Sequence, residues 1–176
     1  MVELVPPSTA LRDAWLESRE EWGRGVHQDG SGLRENDDVD TVAGFASWVA
    51  RLEREADESV PPENGKVHAT YWWLVEDDTV LGAISLRHRL NDFLLDAGGH
   101  IGYGIRPSAR RRGLATWALG EVLGVARSRG LSRVLLTCAD TNLASARTIE
   151  RHSGVLEDTR HTPLGYLRRY WIDLAG

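Results

Sequence analysis

The stretch Ile101-Gly-Tyr-Gly-Ile-Arg-Pro-Ser-Ala-Arg-Arg-Arg-Gly-Leu-Ala-Thr-Trp-Ala-Leu119 decides the fold. It runs strand, tight turn, helix: residues 99–105 read as a strand stopped at Pro107, and residues 115–129 as a helix closed by Gly130. The turn between them contains Arg110-x-x-Gly113-x-Ala115. Physically this is a phosphate cradle. Gly113 lets the backbone approach an anion closely, small Ala115 keeps the first helical turn open, and free N–H groups at a helix N-terminus face the ligand. Arg110, Arg111 and Arg112 add charge-assisted donors. The turn has neither the Gly-Lys-Ser/Thr of a P-loop nor the Gly-x-Gly-x-x-Gly of a dinucleotide site.

Upstream, residues 69–75 are β-branched and aromatic, Glu76-Asp77-Asp78-Thr79 turns, and residues 80–87 continue as a second strand of a hairpin. Before that, residues 10–22 space Leu11, Ala14, Trp15 and Trp22 as a helix, the glycine-rich residues 23–38 read as a loop, and residues 39–55 carry Phe45, Trp48, Val49 and Leu52 on one helical face. Downstream, residues 133–138 form a buried strand, residues 145–152 a helix ending near Gly154, and residues 165–174 one or two last strands. Trp72 and Trp73, being adjacent on a strand, must face opposite sides, both as packing. The order is α/β with a sheet of mixed direction.

The 176 residues, 41% hydrophobic and 27% charged, suit one domain, and a core of this size needs no disulfide or structural metal. Cys138 is the only cysteine, which makes a reducing cytoplasm the simplest compartment, and neither a signal peptide nor a membrane span is expected. Net charge is −5, divided as −8 over residues 1–66 and +3 over residues 67–176. An acidic chain is a poor holder of a nucleic-acid backbone. The asymmetry instead suggests an anion site in the second half and a cation site in the first, or in the latter case merely an acidic solvated surface.

With these residues in place, the sequence resembles the GNAT superfamily of N-acetyltransferases. In that family an Arg/Gln-x-x-Gly-x-Gly/Ala turn binds the pyrophosphate of acetyl-CoA, with a Pro three residues before it, as Pro107 stands here. Val134-Leu-Leu-Thr-Cys138 matches the next buried strand, and Asn142-Leu-Ala-Ser145-Ala-Arg-Thr-Ile-Glu150-Arg151-His-Ser-Gly154 is similar to Asn-x-x-Ser-x-x-x-Ile-Glu-Lys-x-Gly. The resemblance spans roughly residues 70–160, and Gly98-Gly99-His100-Ile101-Gly102-Tyr103 points more narrowly to a bacterial branch. It implies a mixed, mostly antiparallel central sheet with splayed parallel strands and flanking helices. Residues 1–66 would form a helical acceptor side, 67–160 the acetyl-CoA core and 161–176 the C-terminal strands of a single domain.

The same resemblance implies which residues act. The cofactor set is Ile105, Arg110, Arg111, Arg112, Gly113, Leu114, Ala115, Thr116, Asn142 and Ser145, although Asn142 suits a helix cap equally well. Acetyl-CoA would be a co-substrate and no metal is expected. Many relatives use a Tyr seven residues after the Asn as general acid; here that position is Ile149, leaving Ser145, a nearby Tyr such as Tyr103, or water. His100 is the first candidate base, with His88, Glu21 through water, or no dedicated base as alternatives. Glu21, Trp22 and His88 are expected to meet the acceptor, a small cationic amine attacking the thioester directly. The competing reading is a catalytically weak acyl-CoA sensor, and a homodimer is compatible with both.

Overall fold

In a computed structural model, which describes residues 1–175, the chain runs β1 (Glu3–Val5), α1 (Arg12–Trp22), α2 (Val42–Ala56), β2 (Ala69–Glu76), β3 (Thr79–Arg87), β4 (Ile101–Ile105), α3 (Leu114–Ser128), β5 (Arg133–Ala139), α4 (Leu143–Arg151), β6 (Val155–Thr162) and β7 (Gly165–Asp173). The strands make two antiparallel sheets, in the orders β1-β2-β3-β4 and β5-β7-β6. Strand β3 lies inside the first sheet with both faces covered, which is why seven consecutive residues from Val80 to Leu86 are buried.

The sheets meet where β4 touches β5. The His100 N–H donates to Leu135 O at 2.7 Å, and the Leu135 N–H donates to His100 Nδ1 at 2.9 Å. Beyond that point no ladder joins the strands: β4 ends one sheet and β5 the other. The mixed sheet with splayed strands expected from sequence is thus two half-sheets that part between β4 and β5.

Helices divide between the faces. Ile84, Leu86, Ile101 and Ile105 pack with Ala118, Leu119, Val122, Ala146 and Ile149 under α3 and α4. On the other face Trp73 and Ala83 pack with Trp15, Phe45, Trp48 and Leu52 of α1 and α2. Trp73 is fully buried there while Trp72 leans on the α3 side, as alternation along a strand requires. The aromatic rings of Trp15, Phe45, Trp48 and Trp73 lie 4.7–6.2 Å apart, mostly tilted or edge-on.

Three elements carry no strong sequence signal. Strand β1 is a three-residue edge. Strand β6 reads Val-Leu-Glu-Asp-Thr-Arg-His-Thr, mostly exposed, and is held as an edge by ladder bonds to β7 and by Arg169 pairing with Glu157 and Asp158. A π-turn at Leu94–Gly98 delays the start of β4 to Ile101. No helix among the described residues is long and apolar enough to cross a membrane.

Because Phe45 is 0% exposed and touches three tryptophans, Phe45→Ala should cost about 3–5 kcal/mol in urea unfolding, with an unchanged m-value.

Candidate functional site

Helix α3 opens without a cap. Gly113, in its N-cap position, has φ +79° and no side chain bonds the first-turn N–H groups. The first intrahelical bond at this end runs from Trp117 N to Gly113 O, so the N–H groups of Leu114, Ala115 and Thr116 point outward. A Cβ built on Gly113 would meet nothing within 4 Å: the space in front of the helix is open. Around this opening the three arginines divide. Arg112 pairs with Glu76 at 2.7 Å, and Arg110 lies over the Trp22 ring and donates from Nε to Ile105 O at 3.0 Å. Arg111 sits on the turn itself at φ +64°, exposed.

Past the His100–Leu135 contact, the outer edge of β4 has no strand partner. Tyr103 crosses the gap on the α3 and α4 side, its hydroxyl 2.8 Å from Ser145 Oγ in the first turn of α4. Burial is the main force pushing the Tyr103 phenol up to about 12, so it stays protonated at neutral pH. Asn142 takes the capping role, its Oδ1 accepting from Ser145 N. Cys138 is a buried free thiol pushed further up by that burial, unsuited to nucleophilic work.

On the opposite face, toward α1 and α2, the loop after α1 folds over β4. A Cβ at Gly30 (φ +81°) would lie 2.5 Å from Gly102 O and 2.9 Å from Ala83 O, so only glycine fits this crossing. Beside it opens a pocket of about 360 Å³, lined among others by His27, Asp29, Tyr71, Ser85, Arg87 and Leu94. Sequence reasoning placed the acceptor side on residues 1–66, with Glu21, Trp22 and His88 meeting the acceptor, but it passed over His27 and Arg87. His27 Nε2 lies 2.9 Å from Asp29 Oδ1, and that hydrogen bond raises the pKa of His27. The available signal for Arg87 was its register: it continues the Ala83, Ser85 side of β3, where an inward cation needs a reason.

Several expected roles are corrected. His100 is only 5% exposed, and its Nδ1 is occupied by the Leu135 N–H. Burial, with Arg87 nearby, pushes its pKa down to about 4, so it is a poor proton acceptor and instead fastens the two sheets. Glu21 accepts from Arg106 Nε at 2.6 Å and from both the backbone N–H and the hydroxyl of Ser108, which ties α1 to the β4–α3 turn. Partial burial opposes ionisation of Glu21, but these bonds outweigh it and hold the carboxyl below its ordinary range. Trp22 packs against Gly104 and Arg110 rather than facing the pocket. His88 points away to Thr70, Glu58 and Arg129. The acidic surface expected to attract a cation is likewise spent: Glu17 pairs with Arg106, Glu20 with Arg19 and Arg24, Asp37 with Arg51, and Asp38 accepts from Thr41. Among the described residues no group of three or more His, Cys, Asp or Glu side chains is placed to hold a metal.

The sequence model of the Acetyltransferase (GNAT) family matches residues 8–155. No curated protein matches in sequence. Similar solved structures include the microcin C7 self-immunity acetyltransferase MccE in complex with acetyl-CoA and AMP, at 15% identity and TM-score 0.70 over 98% of this chain and 92% of that one. Mycobacterium smegmatis RimJ in complex with CoA-disulfide is 17% identical, with TM-score 0.72 over 98% and 81% of the two chains. The Salmonella typhimurium acetyltransferase that modifies the N-terminal serine of ribosomal protein L7/L12 is 16% identical, with TM-score 0.68 over 98% and 94%. At these identities the likeness carries the fold.

The position of His100 yields a stability signature. The native state keeps the ring neutral down to about pH 4 whereas the unfolded chain protonates near 6.5, so its contribution is full above pH 6.5 and is lost as pH falls toward 4. His100→Asn, which keeps an acceptor for Leu135, should flatten the dependence of unfolding free energy on pH in that window. An unchanged slope would show that the ring does not stay neutral in the native state.

Proposed function

The chain belongs to the acetyltransferase (GNAT) family, and from that premise we propose that it transfers the acetyl group of acetyl-CoA to a primary amine held in the pocket beside β3 and β4. One observation carries this reading: an uncapped 15-residue helix, opened by a left-handed glycine, stands at the end of a strand whose outer edge is unpaired. When bound, acetyl-CoA supplies an activated thioester. The outward N–H groups of Leu114, Ala115 and Thr116 receive its pyrophosphate, and Arg111 adds positive charge at the mouth. The free edge of β4 between Gly102 and Ile105 offers backbone groups to the pantetheine arm, although Ile105 O is already taken by Arg110.

Two side-chain pairs on opposite faces of β4 divide the proton work. On the pocket side, His27 held by Asp29 takes the proton the amine must lose; the pair lies on the loop that crosses Gly102 and Gly104. On the α4 side, Tyr103 donates toward the departing thiolate and Ser145 holds its hydroxyl in place. Tyr103 thus takes the task that a tyrosine at the Ile149 position would perform, from β4 instead of α4. Ile149 itself is fully buried in the core under α3 and α4. A pocket of about 360 Å³ suits a small molecule. A free buried thiol at Cys138 fits the cytoplasm as the place of action.

The missing tyrosine also motivates the alternative of an acyl-CoA sensor without turnover. Calorimetric titration with acetyl-CoA, comparing the native chain with Gly113→Asp, tests the shared premise. The variant puts a negative side chain into the open space before α3 and should abolish binding while circular dichroism stays native; failure of the native chain to bind would overturn both readings. Tyr103→Phe should then lower kcat by about 10²-fold with little change in acetyl-CoA affinity, and binding with no turnover on any amine would favour the sensor.

A further inference from the structure

The pocket that receives the amine also holds a cation with no carboxylate to answer it. Arg87 is the last residue of β3 and lines the pocket wall, two strand positions or about 7 Å from Ser85 on the same face. Its Nη1 donates to Gly98 O at 3.0 Å and Gly99 O at 3.1 Å, which anchors the guanidinium at the start of β4. Among the described residues no carboxylate lies within ion-pair distance of Arg87, and its remaining N–H groups meet no protein acceptor. Burial disfavours its charged form, opposed only by the weaker effects of Tyr71 and Asp29.

The other charges of the pocket are accounted for. Glu55 accepts from Arg34 at 2.7 Å, Arg51 at 2.8 Å and Tyr71 at 2.7 Å, so it has little left for a ligand. Asp29, the remaining acid of the lining, is held by His27. Lys66 adds a further positive charge at the rim. The wall therefore offers an anion a part-buried planar fork, with Ser85 on the same strand face, and offers a second cation only carboxylates that already have partners.

We propose that Arg87 reads a carboxylate on the acceptor, so that the substrate class is a small molecule carrying both a primary amine and a carboxylate, an amino acid in the broad sense. This rests on the acetyltransferase reading and sharpens it. The carboxylate docks on the free edge of the Arg87 guanidinium, and Ser85 lies between that point and Gly102 of β4. The amine is thereby directed to the His27–Asp29 end, where the loop crosses the strand. The small cationic amine expected from the acidic N-terminal half is replaced by an acceptor whose anionic end decides binding.

The test compares α-, β- and γ-amino acids with their carboxamides and decarboxylated amines as acetyl acceptors, reading CoA release with a thiol reagent. In parallel the same compounds are titrated into the CoA-bound protein. The preferred acid should exceed its amide in kcat/KM by at least 10²-fold, because a neutral partner leaves the guanidinium unanswered. Arg87→Met should erase that preference, and Arg87→Lys, which keeps the charge and can still reach the Gly98 and Gly99 carbonyls, should retain only part of it. Equal or better turnover and binding of the amides or decarboxylated amines would overturn the proposal, as would a carboxylate preference that survives Arg87→Met. So would the absence of binding by every acid in the panel. Loss of acetyl-CoA binding by the native chain is a separate result and would instead remove the acetyltransferase reading beneath it.

Discussion

A pair of hydrogen bonds between His100 and Leu135 sets where β4 and β5 stop being neighbours. One is an ordinary backbone bond, and the other uses the imidazole as the acceptor where a strand carbonyl would serve. The side chain substitutes for the next rung of a ladder that is not built. From that point the strands part, and the edge of β4 that a regular sheet would consume stays open to a ligand. The α3 N-terminus and the α4 N-terminus both stand at the mouth of the opening because each helix begins just past the end of one of the parting strands.

Closing the opposite face demands a different economy of charge. Helix α1 could have carried a free acidic surface, yet its carboxylates are answered by Arg19, Arg24 and Arg106, and Glu21 is tied down three times over by Arg106 and Ser108. These bonds fix α1 against the β4–α3 turn, and with it Trp22 against Gly104 and Arg110. Helix α1 and the β4–α3 turn are one mechanical unit. The acids have become scaffolding, and the guanidinium of Arg87 is left on the pocket wall without a carboxylate partner.

Legibility in the sequence followed how local each determinant is. The strand–turn–helix of residues 101–119, the amphipathic α2 and the aromatic hairpin announce themselves through spacing, because each depends on neighbours within a few residues. Strand β6 does not: its residues are mostly polar and mostly exposed, and only the ladder to β7 makes it a strand. The roles of His100, Glu21, Trp22 and His88 were misread for one reason. Each residue type suits a site, but each is engaged by partners far along the chain, Leu135, Arg106, Arg110 and Arg129 respectively.

By itself the sequence determined the α/β architecture, the strand–turn–helix through Arg110–Gly113 and the family, since these rest on short-range stereochemistry: a glycine that tolerates positive φ, a helix start without a cap, an alternation that makes strands. The tertiary structure alone decided which carboxylates are free, which face of β4 each side chain meets, and that Tyr103 reaches Ser145 across the gap while Arg87 is left without a counter-ion. Hydrogen bonds and ion pairs are satisfied by whatever lies within about 3 Å, and residues 40 to 90 positions apart come to that distance only once the two sheets have packed and splayed.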